Sequence, residues 1–230
     1  YHRAGVRLVD SYVDLLSLHG EIDVVTLPVG IHLHAPLASQ ALAEGFSVYM
    51  EKPATGTTEE AAKLLAATRN AARRLFVGFQ TLYQPSTWLL KRRLLDGVIG
   101  TLRRIVVTVA WPRPVSYFTR NGWAGKIEYA GTTIYDSPMQ NAAGHFLNTA
   151  LFLAGQDEMY SATPVGATAE LYRVNDITSA DNTFARIFTR ENVEIIFNAA
   201  LSVREERPAR IDVIGDRGRV EIVDRAERVL

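Results

Sequence analysis

The sequence predicts an α/β domain followed by an α+β domain, and three features of the chain indicate this fold class. Strands and helices alternate as far as Phe79, which is typical of a parallel sheet built from βαβ units. After Gly155 nearly every element is a strand, and hairpin-sized turns favour a mostly antiparallel sheet with a covering helix. The pattern changes near Gln80–Pro85. We therefore expect one domain over residues 1–82 and a second over residues 83–230.

Composition excludes several classes of protein. The 230 residues have a formal net charge of zero, which argues against a nucleic-acid or membrane-surface protein. Cysteine is absent, so disulfides and thiolate metal sites are excluded, and a cytoplasmic location is expected. No apolar run approaches the roughly eighteen residues that a membrane span needs, and no signal-peptide pattern is present.

The first domain is predicted from apolar runs and their end signals. Ser11 with Asp14, and Thr57 with Glu60, have the spacing of capping boxes at the start of a helix. Gly20 and Gly45 are placed to end helices in the left-handed conformation. The predicted strands are Val6–Val9, Ile22–Leu27, Phe46–Met50 and Leu75–Phe79, and the predicted helices are Tyr12–Leu18, Ala35–Glu44 and Thr58–Ala72, with Pro28–His34 as a loop.

The second domain begins with a helix over Pro85–Leu95 and a long alternating strand over Thr101–Trp111. The segment 112–133 is irregular, aromatic and basic, and a helix over Pro138–Ala154 follows. The remaining predicted strands are Ala162–Val174, Asn182–Thr189, Val193–Val203, Ile211–Ile214 and Arg219–Val223. Alternating apolar residues on them, such as Ile195, Phe197 and Ala199, indicate a second apolar face through which a homodimer or homotetramer is expected.

Glu51-Lys52-Pro53 ends the strand Phe46–Met50 abruptly, and the helix start at Thr57 follows. An isolated Glu-Lys-Pro is more often a solvated charged turn. Here, however, the triplet stands at the carboxyl end of a buried strand, the edge at which open α/β sheets bind ligands. Pro53 also restricts the backbone of Lys52, so the lysine is expected to be held in place.

The predicted helix Pro138–Ala154 has a polar stripe as well as an apolar face. Asn141, His145 and Asn148 stand at i, i+4 and i+7, which places them on one side of an α-helix. A lone helical histidine is more often structural than catalytic. Two asparagines aligned with it favour a polar site.

Together these segments resemble the glucose–fructose oxidoreductase/inositol dehydrogenase (Gfo/Idh/MocA) family of nicotinamide-dependent oxidoreductases. The similar stretches are T-L-P-V-G-I-H, E-K-P, V-G-F-Q, L-D-G-V-I-G-T-L, W-P-R-P-V-S-Y-F-T-R-N-G-W-A-G-K and Y-D-S-P-M-Q-N-A-A-G-H-F-L-N. The resemblance implies a partial Rossmann-type domain, NAD or NADP as cofactor, and a substrate domain whose helix places the catalytic histidine at His145.

Two departures from the family pattern stand out. Asn141 occupies the position at which the family usually has aspartate, and an amide cannot act as a base, so that role passes to Lys52 and His145. No G-x-G-x-x-G is present, and the strand order of a Rossmann sheet places two further strands between Val6–Val9 and Ile22–Leu27. The sequence is therefore expected to be an incomplete copy, with a glycine-rich phosphate-binding unit before Tyr1 and more chain after Leu230.

The implied reaction is hydride transfer between NAD(P) and a secondary alcohol of a sugar, cyclitol or related polyol. The resemblance assigns proton transfer to Lys52 and His145, which are expected to share one cleft, with Asn141 beside them. The expected cofactor-binding residues are Thr26, Leu27, Pro28, His34, Glu51, Lys52, Pro53 and Gln80. The expected substrate-binding residues are Arg113, Tyr117, Arg120, Asn121, Trp123, Lys126 and Asn148.

Several alternatives stay open at this point. The family includes NAD-dependent glycosidases without net redox change. A non-catalytic cofactor-binding sensor is a third class, to which Asn141 gives some weight, while the presence of both Lys52 and His145 argues against it. The basic-aromatic segment is about as well explained by an oligomer contact or a solvent-facing loop. His32 and His34 could suggest a metal, but without a third ligand a structural role is favoured, with His34 capping its helix or lining the cofactor loop.

Overall fold

The computed structural model describes residues 6–223 and 226–229. The chain divides into two compact units, Tyr1–Gly78 and Phe79–Leu230, and each has a hydrophobic core of its own. No helix in the described ranges combines the length and the apolar character needed to cross a bilayer. The roles predicted for residues 1–82 and 83–230 stay predictions, and residues 1–5 lie outside the described part.

The first unit is a three-stranded parallel sheet with helices, as the alternation predicted. The strands pair in the order β1-β2-β3, with Val25 opposite Val48 and Val48 opposite Leu75. Its elements are α1 Tyr12–Leu16, β1 Val24–Leu27, α2 Ile31–Ala43, β2 Ser47–Met50, α3 Thr58–Asn70 and β3 Leu75–Val77.

The local signals that start and end these helices are confirmed. Thr57 accepts the Glu60 N–H at 3.2 Å, and Glu60 accepts the N–H of Gly56 at 3.0 Å, which satisfies donors at the start of α3. Ser11 accepts the Asp14 N–H at the start of α1 in the same way. Gly45 has φ +87° after α2, a conformation that a residue with a side chain rarely adopts.

Two predictions for this unit are wrong. Residues Val6–Val9 form no strand, because no described strand lies beside them to pair with, and Val6 and Leu8 are exposed. The helix predicted to begin at Ala35 begins at Ile31, with Gly30 as its N-cap. The extra turn is stabilised by burial of Ile31 and His34, which propensity alone does not reveal.

The second unit is a seven-stranded mixed sheet with helices on one face. Its strand order is β12-β11-β10-β4-β9-β8-β7, and the central pair β4–β9 is parallel while the other described pairs are antiparallel. The helices are α4 Pro85–Leu95, α5 Val115–Thr119 and α6 Gly144–Ala154. The strands of this sheet are β4 Leu102–Ala110, β7 Pro164–Tyr172, β8 Asn182–Thr189, β9 Glu194–Ala200, β10 Arg207–Gly215, β11 Arg219–Val223 and β12 Ala226–Val229. The short strands β5 Glu128–Tyr129 and β6 Thr132–Thr133 pair with each other in a separate two-stranded sheet.

The two faces of this sheet differ in their side chains. Alternate residues of β4, β8, β9 and β10 point into the core with α4 and α6, in accordance with the period of two in a strand. Ile195, Phe197 and Ala199 lie in that core, so the prediction that they form a second, partner-binding face is wrong. The opposite face has Glu194 between Arg104 and Arg186, and the hydrogen bond from Arg186 lowers the pKa of Glu194.

The helix predicted over Pro138–Ala154 is interrupted. Pro138–Ala142 forms a π-helical turn, Ala143 has φ −109°, and regular α-helix resumes only at Gly144. Asn141 therefore lies on the π-helical turn, whereas His145 and Asn148 lie on the α-helix that follows it. Turns of this kind are frequent at functional sites.

Candidate functional site

The Glu-Lys-Pro triplet follows β2, the middle strand of the first unit's sheet. Glu51 is exposed, Lys52 is partly buried and Pro53 is buried. The Lys52 N–H donates to Oε2 of Glu51 at 3.3 Å, and the Lys52–Pro53 peptide bond is cis. Beyond Pro53, Thr55 Oγ1 donates to the Thr57 carbonyl at 2.9 Å, which joins this turn to the start of α3.

The loops after β1 and β3 lie at the same edge of the sheet, because all three strands are parallel. Leu27, Pro28 and Gly30 lead from β1 into α2, whose N-cap glycine makes no side-chain hydrogen bond. Thr26 is exposed on β1. The structure thus brings the predicted residues Thr26–Pro28 and Glu51–Pro53 to one edge of one sheet.

His34 is 1% exposed on α2. Gly30 is the N-cap, so His34 does not cap the helix, and its predicted contact with the cofactor stays a prediction. Nδ1 lies 2.6 Å from the Pro53 carbonyl oxygen and Nε2 lies 3.1 Å from that of Val29. The ring therefore connects the loops after β2 and β1 from inside the unit.

In the second unit, His145 lines a cavity of about 240 Å³. Thr149 stands one turn later on the same wall of α6, and Trp111 closes the cavity at the end of β4. Phe79 meets the His145 ring edge to face at 5.8 Å between centroids. Gln80, predicted to contact the cofactor, also lines this cavity. About half of the lining residues are polar, which suits a hydroxylated ligand.

Asn141 is held by a carboxylate that the sequence reasoning missed. Its Nδ2 donates to Asp136 Oδ1 at 2.7 Å, and Asp136 Oδ2 accepts the Gly125 N–H at 2.7 Å. Asp136 and Asn141 are both buried. These contacts fix the π-helical turn, and the membership of Asn141 in the catalytic group stays a prediction. The only sequence signal for Asp136 was the D-S-P that precedes the turn.

The basic-aromatic segment is organised as alternating cations and rings. Arg113 lies over Trp111 and Tyr117, with Cζ 5.5 and 5.0 Å from the ring centroids. Arg120 lies over Tyr117 at 3.7 Å and over Trp123 at 5.3 Å. Such cation–π contacts hold guanidinium groups in place without neutralising them. The predicted residues of this segment are thus brought together, and the shared Trp111 joins the stack to the His145 cavity.

Other predicted substrate residues have more varied surroundings. Asn121 Oδ1 accepts the N–H groups of Trp123 and Ala124, so its carbonyl forms a turn. Lys126 is exposed, with Nζ 5.9 Å from the ring centroid of Tyr129. Asn148 Nδ2 and Arg113 Nε are buried and have no hydrogen-bond partner among the described residues. Buried donors usually have a partner, so both atoms are candidates for ligand contact.

Lys91 on α4 is a buried cation that the sequence analysis did not identify. Its side chain is fully buried, and Nζ donates to the carbonyl oxygens of Phe152, at 2.6 Å, and Gly155, at the end of α6. Burial lowers the pKa of Lys91 to about 8, while the charges of Asp157 and Glu191 act in the opposite direction. In the sequence, Lys91 is the first residue of a Lys-Arg-Arg run, which looks like the solvent-exposed last turn of a helix.

Within residues 6–223 and 226–229 no group of three or more histidine, aspartate or glutamate side chains is placed to hold a metal ion. The predicted proton-transfer residues lie in different units, Lys52 in the first and His145 in the second. That they share a cleft stays a prediction.

Comparison with known proteins agrees with this architecture. Residues 2–79 match the family model described as oxidoreductase family, NAD-binding Rossmann fold, and residues 88–221 match the GFO/IDH/MocA C-terminal domain. Inositol 2-dehydrogenase of Rhizobium meliloti is 24% identical over 210 residues, covering 90% of this chain and 59% of that protein. A dTDP-3,4-didehydro-2,6-dideoxy-alpha-D-glucose 3-reductase of Streptomyces antibioticus is 29% identical over 181 residues, covering 73% of this chain and 54% of that protein.

Among solved structures, the WlbA dehydrogenase of Bordetella pertussis in complex with NADH and UDP-GlcNAcA superposes with a TM-score of 0.84 at 24% identity. The superposition covers 98% of this chain and 62% of that one. At 24% sequence identity, this similarity shows that the two chains share a fold. The chain spans less than two thirds of the length of these relatives. On the two family models, which together match residues of both units, the chain belongs to the GFO/IDH/MocA oxidoreductase family.

Proposed function

We propose that this chain acts as an NAD(P)-dependent oxidoreductase that transfers hydride to or from a secondary alcohol of a sugar, cyclitol or related polyol. Family membership supports the reaction class, and the relatives named above act, by their names, on inositol and on a deoxysugar nucleotide. The observation that best supports the proposal is the position of Lys52, at the carboxyl end of the middle parallel strand.

The residues at this sheet edge fit a nicotinamide cofactor. Gly30 leaves the first backbone N–H groups of α2 without a side-chain cap, and such groups bind anionic ligand atoms. Gly78 follows β3, and a Cβ there would lie 3.2 Å from the Met50 carbonyl oxygen, so the backbones approach closely. Glu51 presents an exposed carboxylate that can accept hydrogen bonds from ribose hydroxyls. The bound nicotinamide would supply the hydride acceptor or donor.

Lys52 is proposed to take the proton from the substrate hydroxyl during oxidation and to return it during reduction. Its backbone is fixed on both sides, by Glu51 through the Lys52 N–H and by the buried Pro53. General-base catalysis requires a group held within hydrogen-bond reach of the reacting hydroxyl, and a fixed backbone restricts where Nζ can go.

His145 is proposed as the second proton-handling group, because it lines a cavity that also has hydroxyl and amide side chains. Histidine changes charge near neutral pH, so it can exchange a proton with substrate or solvent there. The buried Nδ2 of Asn148 and the glutamine side chains of the cavity would donate hydrogen bonds to further hydroxyls. The threonine hydroxyl oxygens of the cavity would accept them, because their own hydrogens are donated within the protein.

The cation–ring stack is proposed to contact the rest of the substrate. Its aromatic faces suit the C–H face of a sugar, and Arg113 and Arg120 retain donors for an anionic substituent. No carboxylate occurs between Asp96 and Glu128, so no acidic side chain of this segment would repel such a substituent. The WlbA relative was solved with UDP-GlcNAcA, a ligand of this chemical kind.

Product analysis tests the reaction class. The chain is incubated with NAD⁺ or NADP⁺ and a panel of polyols deuterated at their secondary carbinol carbons. The proposal predicts one reduced nicotinamide per oxidised alcohol, with deuterium in the nicotinamide. Cleavage of a glycoside without net reduced nicotinamide would instead support the glycosidase alternative. Cofactor binding without either product would support the sensor.

A further inference from the structure

His34 sits at the meeting point of the two loops on which the proposed chemistry depends. It lies on the first turns of α2 with its side chain 1% exposed. Its Nδ1 is 2.6 Å from the carbonyl oxygen of Pro53, the residue next to Lys52, and its Nε2 is 3.1 Å from the carbonyl oxygen of Val29. One ring therefore spans the loop after β1 and the loop after β2.

The two contacts are not equivalent. A neutral imidazole has one N–H, so it can donate to only one of the two carbonyl groups. The shorter contact, to Pro53, has the geometry of the donated bond, with Nδ1–H pointing at a backbone carbonyl as in many structurally fixed histidines. The Val29 contact, at 3.1 Å from Nε2, is the longer of the two.

The cost of losing the ring follows from burial. Pro53 is buried, and a buried carbonyl group that loses its hydrogen-bond donor is destabilising, so the turn would move to find another partner. Pro53 is joined directly to Lys52, whose own N–H is engaged by Glu51. Any shift of the Pro53 carbonyl is therefore transmitted to the lysine through a single peptide bond.

We propose that His34 is a positioning residue for Lys52. From helix α2, its buried imidazole holds the Pro53 carbonyl group, and with it Lys52, in a fixed position relative to the loop after β1. This inference rests on the proposed function for its kinetic consequence only. The placement of Lys52 itself can be measured without turnover.

The amide side chains allow the two contacts to be separated. Asparagine places its amide nitrogen near the position of Nδ1, and glutamine places it near Nε2. His34→Asn should therefore keep a donor for Pro53, whereas His34→Gln should keep one for Val29 alone. His34→Leu removes both. Tyr12→Phe is the matched control, because it removes a different, partly buried contact of α2, the 2.8 Å hydrogen bond from the Tyr12 hydroxyl to the Leu37 carbonyl.

The readout is the rate at which a small acylating reagent labels each lysine, measured by mass spectrometry over a range of pH. The chain has four lysines, Lys52, Lys63, Lys91 and Lys126, and exposed Lys63 on α3 is the internal reference in the same unit. We expect His34→Leu and His34→Gln to change Lys52 labelling relative to Lys63 several-fold. His34→Asn should restore it and Tyr12→Phe should leave it unchanged.

In steady-state kinetics, His34→Leu should lower kcat by about tenfold or more with a smaller change in KM, because a displaced catalytic group slows the reaction. If His34→Leu does not fold, the comparison of His34→Asn with His34→Gln decides. Folded variants that label Lys52 as the native chain does would overturn the inference. A change in Lys52 labelling without any change in kcat would support the positioning of Lys52 and contradict its catalytic role.

Discussion

At the scale of single residues, Lys91 shows how a buried cation can end a helix. The last carbonyl groups of α6 lack partners within the helix, and the Lys91 ammonium donates to two carbonyl oxygens there. A cation at a helix C-terminus also interacts favourably with the helix dipole. Against this stands the cost of removing the charge from water, which lowers the pKa of Lys91 to about 8.

The lowered pKa of Lys91 predicts how stability depends on pH. Between pH 8 and the ordinary lysine value of 10.5, the unfolded chain binds the proton more tightly than the folded chain. The free energy of unfolding therefore rises with pH in this window, by at most roughly 1 kcal/mol per pH unit. The stability that the chain gains when Lys91 loses its proton is complete above pH 10.5, and this gain is lost as the pH falls through 8.

Urea unfolding at pH 7.5, 9 and 10.5 measures this dependence, with Lys91→Met as the comparison and Lys63→Met as the control. The native chain and Lys63→Met should gain stability relative to Lys91→Met as the pH rises. Parallel stability curves for all three proteins would contradict the account of Lys91.

Some residues of the site could be predicted from the sequence and others could not. The position of Lys52 just after β2 was predictable, because a proline after a buried strand marks the end of that strand and restricts the residue before it. Lys91 was not, because which member of the Lys-Arg-Arg run faces α6 depends on helix packing. His34 was assigned to a loop, because the hydrogen bonds that draw it into α2 are made to residues five and nineteen positions away.

At the scale of elements, the segment with the cation–ring stack is attached to its unit at Gly125. The Gly125 N–H donates to Asp136, and its carbonyl oxygen accepts from Thr178 and Ser179. Gly125 has φ +68°, and a Cβ there would lie 2.8 Å from Ile177 and 2.9 Å from Phe118. This glycine thus allows both the turn and the close approach.

Gly125→Ala should therefore displace the stack and raise KM for the substrate, with a smaller effect on cofactor affinity. Gly131→Ala is a matched control, because Gly131 has a similar φ of +75° but nothing within 4 Å of the added Cβ. Steady-state kinetics and cofactor titration of both variants provide the measurement. Equal KM values for the two variants would show that the stack does not contact the substrate.

The elements illustrate which sequence signals suffice. Signals that depend only on residues adjacent in the sequence suffice. The capping boxes at Ser11 and Thr57 and the hairpin turns of the second unit are of this kind, and each lies where the sequence predicted it. The π-helical turn at Pro138–Ala142 depends on the distant Gly125–Asp136 contact, so the sequence predicted a regular helix there. The apolar face of β9 was also misassigned. Alternation in the sequence shows that one face of a strand is apolar, but it does not show which face of the sheet the helices cover.

At the scale of the whole molecule, one face of the seven-stranded sheet is not covered by a described helix of its own unit. It combines the ion pairs of Glu194 with Arg104 and Arg186 and the partly exposed rings of Phe184 and Phe188. Surfaces that mix exposed rings and paired charges are common at protein interfaces. The expected homo-oligomer is therefore reassigned from Ile195, Phe197 and Ala199 to this face, as a prediction.

Light scattering at micromolar concentration measures the oligomeric state. The native chain should be larger than a monomer, and Phe188→Lys should dissociate it by placing an additional cation beside Arg186. Met159→Lys, at a 66% exposed position between α6 and β7, should leave the oligomer intact. A monomeric native chain would contradict the prediction.

The most direct test of the central claim is the turnover of Lys52→Ala compared with Lys63→Ala, which removes an exposed lysine from the same unit. Loss of a general base should lower kcat by roughly 10²–10⁴-fold in Lys52→Ala. Cofactor affinity should change much less, and Lys63→Ala should behave as the native chain. A Lys52→Ala variant with native turnover would contradict the account and reduce Glu51-Lys52-Pro53 to a structural turn.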